Sequence, residues 1–134
     1  MKCNDGVILS CSNYELNLDE INFFKKTNPL GFVLFKRNYK NYEQLKLLIE
    51  SLKKITLNSN LLIFVDQEGG KVQRFKYGDF LKFPSQSFFG DIYKNDKKKG
   101  LDLAYKSSYL MGVELNKVGV NVNFSPVCDL FYED

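Results

Sequence analysis

Histidine is missing from all 134 residues of this chain. Its absence removes the Ser-His-Asp and Cys-His sets of nucleophilic catalysis. It also leaves any metal site to scattered carboxylates, so no metal is expected. Cysteine is scarce: Cys3, Cys11 and Cys128 are odd in number and widely spaced, with no CxxC pair. Reduced thiols are expected, not a disulfide frame or a zinc site. Cys11 and Cys128 sit at the ends of apolar runs and read as small packing residues.

Long apolar runs are lacking too. None approaches the roughly 20 residues of a membrane helix. The apolar stretch at 7–9 is too short for a secretory signal. No membrane partner is expected, and the expected compartment is the cytoplasm. Neither GxGxxG nor GxxxxGK[ST] occurs, so no nucleotide cofactor is expected, nor any other cofactor. The net charge is only +3, and the densest basic run, KNDKKK at 94–99, carries no interleaved aromatics. That run reads as a solvated loop leading into a helix, and no nucleic-acid partner is expected.

Two other residue types are rare. Ala104 is the only alanine, and only Arg37 and Arg74 among nineteen basic residues are arginine, while Lys, Asn, Phe and Tyr abound. The bias fits AT-rich codons. Both arginines nonetheless follow apolar strands directly, and a planar guanidinium fork binds oxygen atoms in a way lysine cannot copy.

Hydrophobic content of 44% and charged content of 26% are ordinary for a globular chain. The length suits one domain, spanning 1–134. Apolar runs predict strands at 7–11, 31–35 and 61–65, with a fourth, of mixed character, at 120–125. Helices are predicted from Asn17 to the Asn28-Pro29 stop, over 42–55, and over roughly 98–117. Leu18, Ile21 and Phe24 mark the inner face of the first helix. Leu45, Leu48, Ile49, Leu52 and Ile55 mark that of the second. Leu101, Ala104, Ser108, Met111, Leu115 and Val118 trace the third, which Gly119 ends. Residues 56–60 read as a polar loop, and 69–91 as a long irregular connection whose aromatics argue against disorder. Strands alternating with helices predict parallel β/α units. Two closures fit: an open doubly wound sheet, or part of a (β/α)8 barrel of the TIM type, which usually takes about 250 residues.

The segment LLIFVDQEGGKVQRF at 61–75 is the candidate site. Its apolar strand ends in acids, glycines and an arginine, at the carboxyl end where α/β folds bind ligands. Asp66 and Glu68 fit either of two roles. They could be the carboxylate pair of glycoside hydrolysis, if the loop bends. Alternatively, Asp66 accepts hydrogen bonds from ligand hydroxyls while Glu68 braces the Gly69-Gly70 turn. An N-cap or a plain salt bridge is the structural alternative. Arg74 could reach over the strand end to hold a sugar oxygen or carbonyl, or pair with Glu68 or Asp79.

Four strings carry a resemblance: GFVLFKRN at 31–38, VDQEGGKVQRF at 65–75, FPS at 83–85 and GVNVNFSPVCDL at 119–130. In this order and spacing they resemble the start of the family 3 glycoside hydrolases, bacterial cytosolic β-N-acetylhexosaminidases in particular. The resemblance implies a TIM-type barrel that removes terminal β-linked N-acetylglucosamine from muropeptides in peptidoglycan recycling. The implied mechanism is retaining, through a covalent glycosyl-enzyme. Asp66 and Arg74 would bind the sugar, with Glu68, Arg37 and Asn38 as wall, Arg37 and Asn38 more as structure than as chemistry. Where this chain has Lys71, the family usually has Arg.

The family's nucleophilic Asp, and its His and Asp for proton transfer in KHFPGHG and DSH strings, have no counterpart here. Asp129 belongs to the barrel frame and does not replace the nucleophile. No catalytic residue is therefore assigned. The resemblance implies a truncated barrel, roughly the first half, inactive alone and open at two sheet edges. The alternative is a non-catalytic sugar-binding or interaction module, completed by a separately encoded C-terminal half.

Overall fold

A computed structural model describes residues 5–56, 58 and 60–129. Cys3 and parts of the 56–60 loop and of the GVNVNFSPVCDL string fall outside the described residues.

The chain opens with β1 (Asp5–Leu9), α1 (Leu18–Thr27) and β2 (Pro29–Leu34). A 3-10 turn (Lys36–Asn38), α2 (Tyr42–Thr56) and β3 (Leu62–Val65) follow. A hairpin of β4 (Gln67–Gly69) and β5 (Val72–Gln73) comes next. Then come α3 (Gln86–Asn95), α4 (Lys97–Val118) and β6 (Val122–Asn123).

The main sheet runs β1-β2-β3-β6 with every pairing parallel. Each strand lies beside the one before it, with no reversal of order. A doubly wound sheet must reverse at its switch point, whereas a barrel adds each stave on the same side. The arrangement is thus an α/β barrel portion, not closed, with β1 and β6 as its outer strands.

Helix α1 begins with a reciprocal capping box. Glu20 N–H donates to Asn17 Oδ1 at 2.9 Å, and Asn17 N–H donates to Glu20 Oε2 at 3.1 Å. Asn28, left-handed at φ 48°, ends the helix ahead of Pro29. Phe24 packs edge-on to Phe32 with ring centroids 4.8 Å apart, which seats α1 on β2. Leu45, Leu48, Ile49 and Leu52 of α2 are buried in one cluster with Phe32, Leu34, Ile63 and Val65. Gly31 permits the close approach of β2 and β3, because a Cβ there would lie 2.3 Å from the Leu62 carbonyl oxygen.

Three expectations change. The stretch 69–91 is not irregular throughout: it holds the end of the hairpin and the start of α3. Its Phe75 and Phe80 meet Tyr39 in tilted and edge-on contacts with centroids 5.1–5.4 Å apart, so these aromatics belong to the main core. Helix α3 runs unbroken through Gly90, a poor helix former that masks the helical pattern in the sequence. Next, the basic run 94–99 is not a loop. Asp96 alone separates α3 from α4 and caps α4 by accepting from Lys99 N–H at 2.9 Å. Gly100 lets the two helices touch, since a Cβ there would meet Tyr93 Cα at 2.7 Å.

Finally, the predicted inner stripes hold only in part. Leu18 is 77% exposed because it begins its helix at the rim, and Leu101 is 62% exposed. Only Met111, Leu115 and Val118 of the α4 stripe reach the core, as the first half of α4 leans on α3 instead.

Candidate functional site

Period-2 alternation places Ile63 and Val65 on the face that packs under the helices. Phe64 lies on the opposite face and stacks on Phe124, ring centroids 5.2 Å apart. Asp66 shares the parity of Phe64 and is absent from the cluster under the helices. It stands at the carboxyl end of β3, half-buried.

Arg74 Nη2 donates to Asp66 Oδ2 at 2.8 Å, with 34% and 29% of the two side chains exposed. Arg74 pairs with neither Glu68 nor Asp79. Asp79 instead accepts from Tyr42 N–H at 3.1 Å. Arg74 Nε is buried and has no hydrogen-bond partner among the described residues. Asp66 Oδ1 makes no hydrogen bond among them either, which leaves one carboxylate oxygen open. A carboxylate with a spare oxygen beside a guanidinium offers both acceptor and donor, the pairing that vicinal sugar hydroxyls need.

Phe35 connects this pair to the second arginine. Arg37 Cζ lies 4.6 Å from the Phe35 ring centroid, and Arg74 Cζ lies 6.0 Å from it. Arg37 then donates through Nε to the Cys11 carbonyl at 2.9 Å and through Nη2 to Ser10 Oγ at 2.6 Å. Asn38 is fully buried. It accepts from Phe35 N–H at 3.0 Å and donates to the Cys11 and Asn13 carbonyls at 3.0 and 2.9 Å. Arg37 and Asn38 thereby hold the loop after β1 against the end of β2.

The hairpin needs its glycines. Gly69 and Gly70 have φ of 96° and 59°, in the left-handed region. A Cβ on Gly69 would sit 2.2 Å from the Pro84 carbonyl oxygen, and one on Gly70 would sit 2.8 Å from Ser85 Cβ. Gly70 N–H also donates to the Phe83 carbonyl at 2.8 Å. The glycine pair and the FPS string are therefore two halves of one contact. Glu68 does not meet Asp66 or Arg74 in an ion pair among the described residues. It lines an open groove of about 580 Å³ with Lys71, Ser85, Ser87 and Asp129, and neither Asp66 nor Arg74 lines that groove.

Sequence reasoning missed four amides. Gln67 and Gln73 are 0% and 4% exposed. Gln73 accepts from Phe83 N–H at 3.0 Å and donates to the Phe75 and Leu81 carbonyls at 2.9 and 2.7 Å. Asn121 accepts from Ile63 N–H at 2.8 Å and donates to the Leu61 carbonyl at 3.0 Å. Asn123 does the same for both backbone groups of Gln67. The polar alternation of VNVN, read as a strand of mixed character, was the available signal: these amides extend the β3–β6 ladder with side chains. Among the described residues no three His, Cys, Asp or Glu side chains gather as a metal site. No helix among them is long and apolar enough to cross a membrane.

Sheet order and the strand-end cluster together define a β/α-barrel portion with a polar mouth. Residues 8–134 match the glycosyl hydrolase family 3 N-terminal domain, and the chain belongs to that family. It is 41% identical over 124 residues to a beta-hexosaminidase of Psychromonas ingrahamii, covering 92% of this chain and 36% of that protein. Against a beta-hexosaminidase of Hydrogenovibrio crunogenus it is 44% identical over 104 residues, covering 78% and 29%. Its fold is similar to NagZ from Neisseria gonorrhoeae crystallised with N-trifluoroacetyl-D-glucosamine, at a TM-score of 0.85 and 33% identity, covering 92% of this chain and 36% of that one. The chain thus spans about a third of the length of the relatives it matches.

Proposed function

We propose that these residues form one folding unit, the sugar-binding side of a β-N-acetylhexosaminidase barrel. Asp66 accepts hydrogen bonds from hydroxyls of a terminal β-linked N-acetylglucosamine, and Arg74 donates to the same ring from its fork. Arg37 and Asn38 shape the surrounding wall through the loop after β1, whereas Glu68 lines a separate groove and lies outside this wall. The substrate is a muropeptide, the setting is peptidoglycan recycling, and the compartment is the cytoplasm. The observation that carries the reading is the Asp66–Arg74 pair at 2.8 Å, with one carboxylate oxygen unengaged among the described residues. The likeness to a structure crystallised with an N-acetylglucosamine analogue supports the choice of sugar.

Retaining hydrolysis needs a nucleophile and a proton-transfer group, placed on either side of the scissile bond. No residue among these 134 is assigned to either role, and histidine is absent. These 134 residues therefore bind without turning over, and a second half-barrel supplies the chemistry. Two measurements on the purified chain test this. Titration with N-acetylglucosamine should move amide resonances at 66–75, and Asp66→Asn should abolish the effect. A fluorogenic N-acetylglucosaminide should not be cleaved. Cleavage at rates typical of hexosaminidases overturns the division of labour, and an unchanged spectrum overturns the binding role.

A further inference from the structure

Asp66 and Arg74 are eight residues apart, on opposite arms of a hairpin whose strands are three and two residues long. So short a hairpin is marginal by itself. Something else must hold the two side chains in register, and one buried amide contacts both arms. Gln67 follows Asp66 directly and is fully buried. Its Oε1 accepts from Arg74 N–H at 2.9 Å and from Phe75 N–H at 3.1 Å. Its Nε2 donates to the Phe75 carbonyl at 3.1 Å. The other arm is locked from the sheet: Asn123 accepts from Gln67 N–H at 2.9 Å and donates to the Gln67 carbonyl at 2.8 Å.

We infer that Gln67, clamped by Asn123, is the positioning residue that sets Arg74 against Asp66. The physical reason is geometric. A side-chain amide that accepts two backbone N–H groups and donates to one carbonyl fixes the local backbone as a ladder strand would. Because Gln67 is excluded from water, no solvent group can replace those bonds, so losing them releases the Arg74 backbone. Gln73 provides the internal contrast. It is also buried on the same hairpin, yet its three bonds go to Phe75, Leu81 and Phe83 and none to Arg74.

The scarcity of arginine makes the test clean. With Arg37 and Arg74 as the only arginines, the Nε–Hε region of a nitrogen–proton spectrum holds two signals, assigned with Arg37→Lys. Gln67→Met keeps length and removes the bonds. It should shift and broaden the Arg74 signal, whereas Gln73→Met should leave that signal in place, although both variants lose stability. Asn123→Ala should act as Gln67→Met does. In the unmodified chain, the Arg74 and Phe75 backbone amides should exchange slowly with deuterium, together with the strand amides.

Binding rests on the sugar-site reading, and there Gln67→Met should weaken N-acetylglucosamine by about tenfold, the size of one lost bond to a charged group. If the unmodified chain binds no sugar, that reading fails, but the Arg74 signal still decides the positioning role. Equal shifts from Gln67→Met and Gln73→Met, or no shift from either, overturn the inference. Fast exchange at Arg74 and Phe75 in the unmodified chain overturns it with no variant required.

Discussion

Arg74 reaches Asp66 with one terminal nitrogen, at 2.8 Å, while its own Nε lies buried without a partner among the described residues. A buried donor without a partner costs about 1–3 kcal/mol, so the placement of this side chain is not the cheapest for stability. It is the placement that keeps the fork beside the carboxylate at the strand end.

Replacing the fork by a point charge should expose that distinction. Arg74→Lys retains the charge but cannot present two parallel donors. Affinity for N-acetylglucosamine should fall about tenfold or more, while the thermal midpoint holds or rises, because the half-exposed pair is worth little to stability and the buried Nε donor is gone. Calorimetric titration and a melting curve on the same sample would check it. A variant that binds as well as the parent would show that Arg74 serves the fold alone.

The glycines should separate into two classes. Gly69→Ala forces a side chain onto a left-handed backbone and drives its Cβ against the Pro84 carbonyl. The loss should exceed about 2 kcal/mol by urea unfolding. Gly112 lies within α4 with open space at its Cβ position. Gly112→Ala should stabilise by about 0.5–1 kcal/mol.

Burial pushes the Cys11 thiol up from 9.0 to about 12, with Glu20 adding to the rise and Arg37 opposing it. Burial also raises the hydroxyls of Tyr39 and Tyr42, each with nearby acids adding to the rise. All three bind their protons more tightly when folded. Their contribution is complete below the unfolded values and is lost as pH rises through the folded ones. Stability should therefore decline from about pH 9 to pH 12. At pH 8, an alkylating reagent should label the exposed Cys128 quickly and Cys11 only after unfolding, as read by peptide mass mapping.

The outer strands carry a further consequence. Among the described residues β1 and β6 each have an unpaired side, and Val7 and Ile8 on β1 are 40% and 42% exposed. Edges of this kind recruit other strands. The 134-residue polypeptide, expressed as such, should associate more as its concentration rises, and Ile8→Lys should suppress this in sedimentation velocity. Concentration-independent monomer behaviour in the parent would contradict the expectation.

Much of the frame could be read from the residues. The apolar runs and the 3.6-residue stripe of α2 located β2, β3 and α2 to within a residue or two, because a strand or helix buried on its inner face needs that pattern. The VDQEGGKVQRF string drew attention to Asp66 and Arg74 because acids, glycines and arginine end a buried strand there. The small elements escaped. The β4–β5 hairpin is too short for periodicity, and α3 is a short helix whose pattern Gly90 weakens. Nor does any local pattern tell that Gln67 and Asn38 are fully buried whereas Leu18 is exposed.

The sequence by itself determined that strands and helices alternate, where each long element lies, and which residue types stand at the end of β3. Those properties are local, set by side-chain periodicity and by caps within a few residues. Only the tertiary structure decided that the sheet runs β1-β2-β3-β6 without reversal, that Arg74 chooses Asp66 over Glu68 or Asp79, and that Asn123 clamps Gln67 from 56 residues away. Such choices depend on long-range packing and on satisfying buried polar groups, and these exist only once distant segments have met.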